Sequence, residues 1–525
     1  MAAKSNLVNL DAMIKRADFA HQQDENTSFE TFNSIPAREL ASGSPIVALL
    51  RKPDFQRETN HWTPEQVVSL LECYINGDLI PSVILWMSPS YLFVIDGGHR
   101  LSVIRAWMED DYGDGQISHK LFGHDISAEQ KKAAEKTRKL VKERVGTWNY
   151  FKSLLDDNDN EGITPEQRKK LSTLTARGLP VQWVKGDTDK AETSFFNINM
   201  KGTPLDEVEE LLLKNRKKPV PIAARAIIRA GKGHRYWSSF APEMTESIES
   251  MSLKVHRLLF DPEIKTPIKT LDLPLSGSKG IRTAIQILIE FILIANTTQQ
   301  KGVLKIDSFS DDLTGQDTVT VLKKTIALAS RVTGNDRGSL GLHPAIYFYG
   351  PTGRHSSAMF LGTVSLFSEK LAQNNKAFFT QFSLVRGGIE SLLIQNKELI
   401  AAILQKHISH KRVSIFKGLL EQVTKELTLG NVVTQDDLIT FSQLDGKLIS
   451  GDIQSTNSKI TDEQKSKLFI NVALDNAIKC PICNGYLDVD KSVSYDHIER
   501  VREGGNGMAT NIQLTHPYCN QTIKQ

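Results

Sequence analysis

Apolar residues recur at helical spacing after four short polar motifs, each with the features of a helix start. In Thr63-Pro64-Glu65-Gln66 the threonine can cap the first turn, the proline suits the first helical position, and the glutamine can reach back to the cap. This helix should end near Gly77. Similar motifs predict helices that begin after Ser127, Thr164 and Thr461.

Short apolar runs between the first two of these helices predict strands. Residues 82–87 and 91–95 are separated by Ser-Pro-Ser and read as a β-hairpin or as paired strands. The second run ends in Asp96-Gly97-Gly98, after which residues 99–108 have an amphipathic helical pattern. The N-terminal part is therefore expected to be an α/β domain.

The middle of the chain has long helical periodicities and few strand signals, notably over 280–296, 318–331 and 358–371. A polar segment without periodicity follows at 446–458 and reads as a linker. We predict an α+β multidomain protein. Its parts are an N-terminal domain (1–242), a helical domain (243–445), a linker (446–460) and a small C-terminal domain (461–525).

Composition changes this picture little. With 40% hydrophobic and 24% charged residues, the chain resembles ordinary globular proteins. A net charge of +3 is too small to indicate a nucleic-acid binder, so any phosphate contact must come from local patches. No apolar run is long enough to span a membrane, so we expect a cytoplasmic protein, and a homo-oligomer stays open.

Three of the four cysteines lie in the last 46 residues, which favours metal ligation over disulfides in a chain without a secretion signal. Cys480 and Cys483 form one pair of ligands, and His516 and Cys519 form another, each with two residues between its members. This spacing lets a tight turn direct both side chains to one ion. Together the two pairs predict a tetrahedral, structural Zn²⁺ site.

The 32 residues between the two pairs contain further candidate chemistry. Asp496-His497, Gly504-Gly505 and Asn511-Ile512-Gln513 occur there, and Asn520 follows the last cysteine. With the zinc ligands, this pattern resembles the HNH (His-Me finger) endonucleases, which have a ββα-metal fold, over residues 480–524.

The resemblance implies a role for each of four residues. His497 would be the general base, Asp496 and Asn520 would bind catalytic Mg²⁺ or Mn²⁺, and Asn511 would orient the loop or the His497 imidazole. The family often has cysteine where this chain has His516, and histidine where it has Asn520. Both replacements keep suitable ligand atoms. The alternative is a zinc knuckle that recognises nucleic acid or protein without cutting it.

A second candidate site lies at the strand–turn–helix segment from Asp96 to Arg100. Successive N–H groups of a glycine turn and the start of a helix can bind an anion, although such turns are common without a ligand. The candidate phosphate- or nucleotide-binding residues of this segment are Asp96, Gly97, Gly98, His99 and Arg100.

The segment resembles the DGQQR and DGxHR motifs of the ParB/sulfiredoxin-like superfamily, particularly its Gmr-type restriction family. A Gln56-Arg57 pair and the stretch 195–205, with Asn199 and Lys201, resemble other motifs of that family. The resemblance adds these four residues to the candidate site and implies a domain that senses DNA modification or binds a nucleoside triphosphate. Gly98 and His99 replace the two glutamines, so nucleotide hydrolysis stays open.

A third candidate is a basic segment between Leu211 and Pro242, which contains no aspartate or glutamate. Such a segment can follow a phosphate backbone, and a solvated helix face is the alternative. The candidate DNA-binding residues are Lys214, Arg216, Lys217, Lys218, Arg225, Arg229, Lys232 and Arg235.

Together these observations predict a metal-dependent DNA endonuclease of prokaryotic restriction or anti-phage defence, which acts on DNA, modified or phage DNA included. The N-terminal domain would gate the HNH site. Two alternatives stay open: a nucleotide- or DNA-binding regulatory protein with a structural zinc finger, and an RNA-cutting toxin.

Overall fold

The computed structural model describes residues 7–17, 31–53, 62–122, 128–156, 163–186, 207–231, 240–277, 281–298, 302–446 and 460–524, with isolated positions at 56, 59–60, 126, 190–191, 194–195, 198 and 237. The chain divides into two compact units. The first comprises Met1–Arg216 and Lys232–Ser239, and the second comprises Lys217–Gly231 and Phe240–Gln525. The four-part division expected from the sequence stays a prediction, and most of its linker lies outside the described residues.

The first unit contains a mixed six-stranded sheet in the order β1-β3-β5-β4-β6-β2. β4 and β5 are antiparallel and form the predicted hairpin, while β3 runs parallel to β5 and β6 runs parallel to β4. The strands are β1 (Arg16–Ala17), β2 (Ser34–Pro36), β3 (Leu50–Pro53), β4 (Val83–Met87), β5 (Leu92–Asp96) and β6 (Gly178–Val184).

Most helices of this unit contribute to the core of the sheet, in which Val67 and Leu71 pack with Val83 and Leu101. The helices are α1 (Pro45–Leu49), α2 (Pro64–Asn76), α3 (Gly98–Glu109), α4 (Gln116–Phe122), α5 (Ala128–Arg144), α6 (Trp148–Asp156), α7 (Pro165–Ala176) and α8 (Glu207–Lys214).

The predicted cap at Thr63 is present, because its hydroxyl accepts from the Gln66 N–H and the Gln66 side chain accepts from the Thr63 N–H. The caps predicted at Thr164 and Thr461 have the same reciprocal geometry. The combination of a mixed sheet with many helices confirms the α+β class.

The second unit is mainly helical. The predicted spans 280–296, 318–331 and 358–371 correspond to α11, α12 and α14, with bounds within two residues at each end. The helices are α9 (Pro219–Ile228), α10 (Pro242–Phe260), α11 (Ile281–Ala295), α12 (Gln316–Val332), α13 (Pro344–Tyr347), α14 (Ser357–Ala372), α15 (Lys376–Leu384), α16 (Arg386–Gln395), α17 (Lys397–Lys406), α18 (Arg412–Thr428), α19 (Gln435–Phe441) and α20 (Asp462–Asp475).

The same unit ends in a two-stranded antiparallel ribbon, β7 (Ser494–His497) and β8 (Ile512–Thr515), followed by a short helical segment, Cys519–Ile523. Among the described residues of the whole chain, no helix is both long enough and apolar enough to cross a membrane.

Candidate functional sites

The N-terminal candidate site begins where β5 ends. Gly97 has a φ of +89°, and a Cβ at this position would lie 3.1 Å from the Val83 Cα atom, so only glycine fits the turn without strain. Gly98 is the first residue of α3, whose N-cap has no side-chain hydrogen bond. The turn therefore presents backbone N–H groups at a helix start, as an anion site requires.

Two charged side chains of this turn bind each other. The Arg100 guanidinium donates to the Asp96 carboxylate at 2.7 Å and to the Ser82 carbonyl at 3.1 Å. The Asp96 side chain keeps 36% of its surface exposed, against 17% for Arg100. An incoming phosphate would have to share Arg100 with these two acceptors, so the proposed phosphate contact stays a prediction.

A buried charge network that the sequence analysis missed lies beside this turn. Asp11 Oδ1 accepts from Arg16 at 2.8 Å and from Lys52 at 3.2 Å, and the Lys52 side chain is 1% exposed. The Lys52 Cε atom lies 4.0 Å from where a Cβ on Gly98 would stand. Lys52 lies 41 positions after Asp11 in the sequence, and no motif links the two residues.

The remaining residues of the N-terminal prediction divide into two groups. Gln56 lies beside the turn and donates to the Val94 carbonyl at 3.2 Å, and the His99 ring stacks on Trp62 with centroids 5.4 Å apart. Arg57, Asn199 and Lys201 lie outside the described residues.

The basic segment is divided between the two units, with Lys214 and Arg216 in the first and the next four candidates, Lys217, Lys218, Arg225 and Arg229, in the second. Arg225 lies on α9, which is buried along almost its whole length, and the residue itself is only 8% exposed. Its guanidinium is thus withdrawn from the solvent, where a nucleic acid would bind. Lys232 and Arg235 lie outside the described residues, and DNA binding by the segment stays a prediction.

The four predicted zinc ligands converge at the C-terminus. One potential ligand atom from each of Cys480, Cys483, His516 and Cys519 lies within 4.8 Å of the others, and all four residues are buried. Three thiols and one imidazole are the donor set of a structural Cys₃His zinc site. The cluster could therefore hold Zn²⁺.

The imidazole of His516 is oriented for this role. Its Nε2 atom lies 2.9 Å from the Tyr486 carbonyl, while its Nδ1 atom faces the Cys483 sulfur at 3.3 Å. A carbonyl acceptor fixes the proton on Nε2 and leaves the Nδ1 lone pair for a metal. Burial lowers the pKa of His516 and so keeps the ring in the neutral form that binds zinc.

The pKa values of the thiols also favour a bound cation. Hydrogen bonds from Cys483 and Cys519 lower the pKa of Cys480, so Cys480 is the first of the three to become a thiolate. The nearby Cys480 sulfur in turn raises the pKa of Cys483 to about 12. Without a cation, a thiolate at Cys480 makes it harder for Cys483 to lose its proton. A divalent cation would remove this effect, because it stabilises all three thiolates at once.

A buried ion pair on α16 lies against the turn that carries two of the predicted zinc ligands, Cys480 and Cys483. Arg386 Nε donates to Glu390 Oε1 at 2.6 Å, and both side chains are at most 1% exposed. Glu390 also accepts from the Tyr486 N–H at 2.6 Å, and the Gly387 N–H donates to the Cys483 carbonyl at 3.1 Å. These contacts join the turn after Cys480 to the helical scaffold.

The predicted HNH residues lie on the ribbon and on the segment after it. Asp496 is paired with Gln513 and His497 with Ile512 across the two strands. Side chains alternate along a strand, so Asp496 faces the opposite side of the ribbon from His497. No described residue forms a hydrogen bond with the His497 ring, which leaves a ring nitrogen available to accept a proton.

The Asp496 carboxylate is held through one oxygen only. Oδ2 accepts from the Gln513 amide at 2.8 Å and from the Lys524 ammonium at 2.7 Å, whereas Oδ1 accepts from none of the described residues. Lys524 also donates to the carbonyls of His497 and Ile498. Sequence reasoning missed Lys524. The signal that could have identified it is its spacing, because a residue four positions after Asn520 lies about one helical turn further along the chain.

The two asparagines have different surroundings. Asn520 donates through Nδ2 to Ser494 Oγ at 2.7 Å and to the Tyr495 carbonyl at 3.2 Å, which leaves its Oδ1 as a possible metal ligand. Asn511 exchanges hydrogen bonds with the Glu499 backbone and donates to the Asn506 carbonyl at 2.8 Å. Of the two predicted roles for Asn511, this geometry favours orientation of the loop.

Comparison with known proteins bears on the N-terminal part of the chain. No curated protein and no solved structure matches the chain. Residues 38–216 match the family model "GmrSD restriction endonuclease, N-terminal domain". This span is about a third of the chain and includes the Asp96–Arg100 turn, and its match supports the similarity of this part to Gmr-type restriction endonucleases.

Proposed function

We propose that the protein is a metal-dependent DNA endonuclease of a restriction or anti-phage system, in which the C-terminal HNH site cuts and the N-terminal part gates cutting. The observation that supports this proposal most is the position of Asp496 and His497 at the end of β7 and of Asn520 on the segment that contacts β7, next to a buried Cys₃His cluster. The match of residues 38–216 to a restriction endonuclease domain adds independent support.

Each residue has a defined part in phosphodiester hydrolysis. His497 accepts the proton of the attacking water on a ring nitrogen. Asp496 Oδ1 and Asn520 Oδ1 are the hard oxygen ligands for Mg²⁺ or Mn²⁺, which supplies charge neutralisation at the phosphate when bound. Asn511 holds the loop from residue 498 to residue 511, and zinc at the Cys₃His cluster has a structural role.

Purified full-length protein should nick or linearise DNA in the presence of Mg²⁺ or Mn²⁺ and show no cleavage when both ions are omitted. The assay offers supercoiled plasmid, phage DNA with modified bases, and RNA, each with and without a nucleoside triphosphate, and product sizes are read on gels. A dependence on the triphosphate would support gating by the Asp96–Arg100 turn. Cleavage of RNA alone would favour the toxin, and binding without any cleavage would favour the regulatory protein.

The proposed metal site makes a prediction about Lys524. Replacing Lys524 with methionine should tighten Mn²⁺ binding by at least about tenfold. Two like charges about 4 Å apart repel by about 4 kcal/mol near a protein surface, and a divalent ion doubles this effect. The charged hydrogen bond that orients Asp496 contributes only about 1.5–3 kcal/mol. Calorimetric titration with Mn²⁺ measures the change without any need for activity.

Lys465→Met is the matched control, because Lys465 pairs with an exposed aspartate on α20. It should leave Mn²⁺ affinity unchanged, and Asp496→Asn should abolish binding at the site. Weaker Mn²⁺ binding in the Lys524 variant would mean that its anchoring of Asp496 outweighs the charge repulsion.

A further inference from the structure

A cleft of about 420 Å³ lies within the second unit, between the ends of α12 and α14, the start of α15 and the C-terminal helical segment. Its volume is in the range of small-ligand pockets. No aspartate or glutamate is among the described residues that line it. We call it the basic cleft, after its four cationic residues Arg331, Arg337, Lys370 and Lys376.

Two of these cations are already engaged. Lys370 forms an ion pair with Glu421, and Arg331 lies over the Phe379 ring, 5.0 Å from its centroid. Arg337 and Lys376 are exposed and form no ion pair with any residue that the structure describes. Two positive charges therefore face the cleft without a partner, which favours an anionic ligand.

The wall of the cleft also carries an unused acceptor. Gln521 Oε1 is buried and has no hydrogen-bond partner among the described residues, although the neighbouring Tyr518 hydroxyl contacts Thr380 at 3.3 Å. A buried acceptor without a donor is costly, so a rotation of the Gln521 side chain that brings this oxygen to an N–H group of a ligand in the cleft would be favoured. A nucleotide combines a phosphate with an amino or ring N–H group on its base.

We propose that the basic cleft holds a nucleotide of the DNA strand beside the cut, with its phosphate on Arg337 and Lys376. This inference rests on the proposed nuclease function. Gln521 directly follows Asn520, and consecutive Cα atoms are about 3.8 Å apart. DNA rises about 3.4 Å per nucleotide along one strand. A nucleotide in the cleft therefore lies within a few positions of a phosphate at the Asn520 metal site.

The test uses full-length protein in which Arg337→Gln and Lys376→Gln are combined. Fluorescently labelled DNA is titrated without Mg²⁺ or Mn²⁺, so that no cleavage occurs and zinc stays bound, over a range of salt concentrations. Each lost phosphate contact lowers the slope of log affinity against log salt by about 0.9, so the slope should fall by about 2. Lys323→Gln with Lys324→Gln, two exposed positions on α12 outside the cleft, is the control that should keep the slope.

The outcomes separate the cleft from the nuclease. An unchanged slope in the Arg337 and Lys376 variant, while the wild type cuts DNA, would overturn the cleft and leave the nuclease intact. A reduced slope with a wild type that never cuts would support the cleft as a DNA site and contradict the nuclease. If free ATP bound the cleft and DNA did not, the cleft would be a nucleotide site, and the inference would be wrong.

Discussion

Replacing His497 with alanine is expected to lower the rate of DNA cleavage by about 10²–10⁴-fold, the usual contribution of a positioned general base. The His497 ring lies at the end of β7 and is partly exposed. No described residue forms a hydrogen bond with its nitrogens, so removal of the ring leaves no buried group without its partner. Fold and zinc content should therefore stay as in the wild type. Cleavage rates at saturating Mg²⁺, circular dichroism and metal analysis measure the three quantities.

The matched control is His410→Ala, at an exposed position on the surface of the helical unit. It should cut DNA like the wild type. Added imidazole should partly restore cleavage by the His497 variant, because a free base can enter the space that the ring leaves. Cleavage at the wild-type rate by His497→Ala would place the general base elsewhere and remove the HNH mechanism as proposed.

Local patterns predicted much of the fold because their causes are local. The capping boxes at Thr63, Thr164 and Thr461 depend on residues within one helical turn, and each is present in the structure. The hairpin of β4 and β5 likewise depends on two strands that follow each other in the sequence and are joined by a short turn. Within each pair of predicted zinc ligands a tight turn brings the two side chains together, whereas the pairing of β7 with β8 brings the end of the ribbon back towards the first pair.

The interactions that sequence reasoning missed join residues far apart in the chain. Asp11 and Lys52 are separated by 41 positions, and Arg386 reaches Tyr486 across 100 positions. Neither pair belongs to a periodic pattern or a motif. Only the packed fold brings these residues together, so no local signal could have identified them.

The basic segment shows a different limit. A count of charges selected Arg225, yet the surrounding residues of α9, Pro219–Ile228, are almost all apolar, and the helix is buried. Its hydrophobic pattern was the more informative signal, because continuous apolar positions indicate burial whatever the charge of a single residue. Charge alone therefore overestimated the surface available to DNA.

Replacing Cys480 with serine is expected to remove zinc and to unfold the ribbon. Structural zinc contributes about 10–16 kcal/mol to the folding of small zinc-finger peptides, and they have no other core. Around the ribbon, the apolar cluster consists of Leu487 and the cysteines themselves, with a few partly buried neighbours. Loss of one ligand should therefore abolish DNA cleavage at any Mg²⁺ concentration. Zinc content and hydrogen exchange of residues 494–515 measure the change.

Cys73→Ser provides the control, since Cys73 is a free, partly buried cysteine in the first unit. The helical scaffold should keep its thermal transition in the Cys480 variant, because the Arg386–Glu390 ion pair lies on α16 and forms without the metal-binding turns. Zinc chelation of the wild type should have the same effect as the variant and should be reversed by Zn²⁺ but not by Mg²⁺. Slow hydrogen exchange at β7 and β8 in the metal-free protein would show instead that packing on the scaffold is sufficient to fold the ribbon.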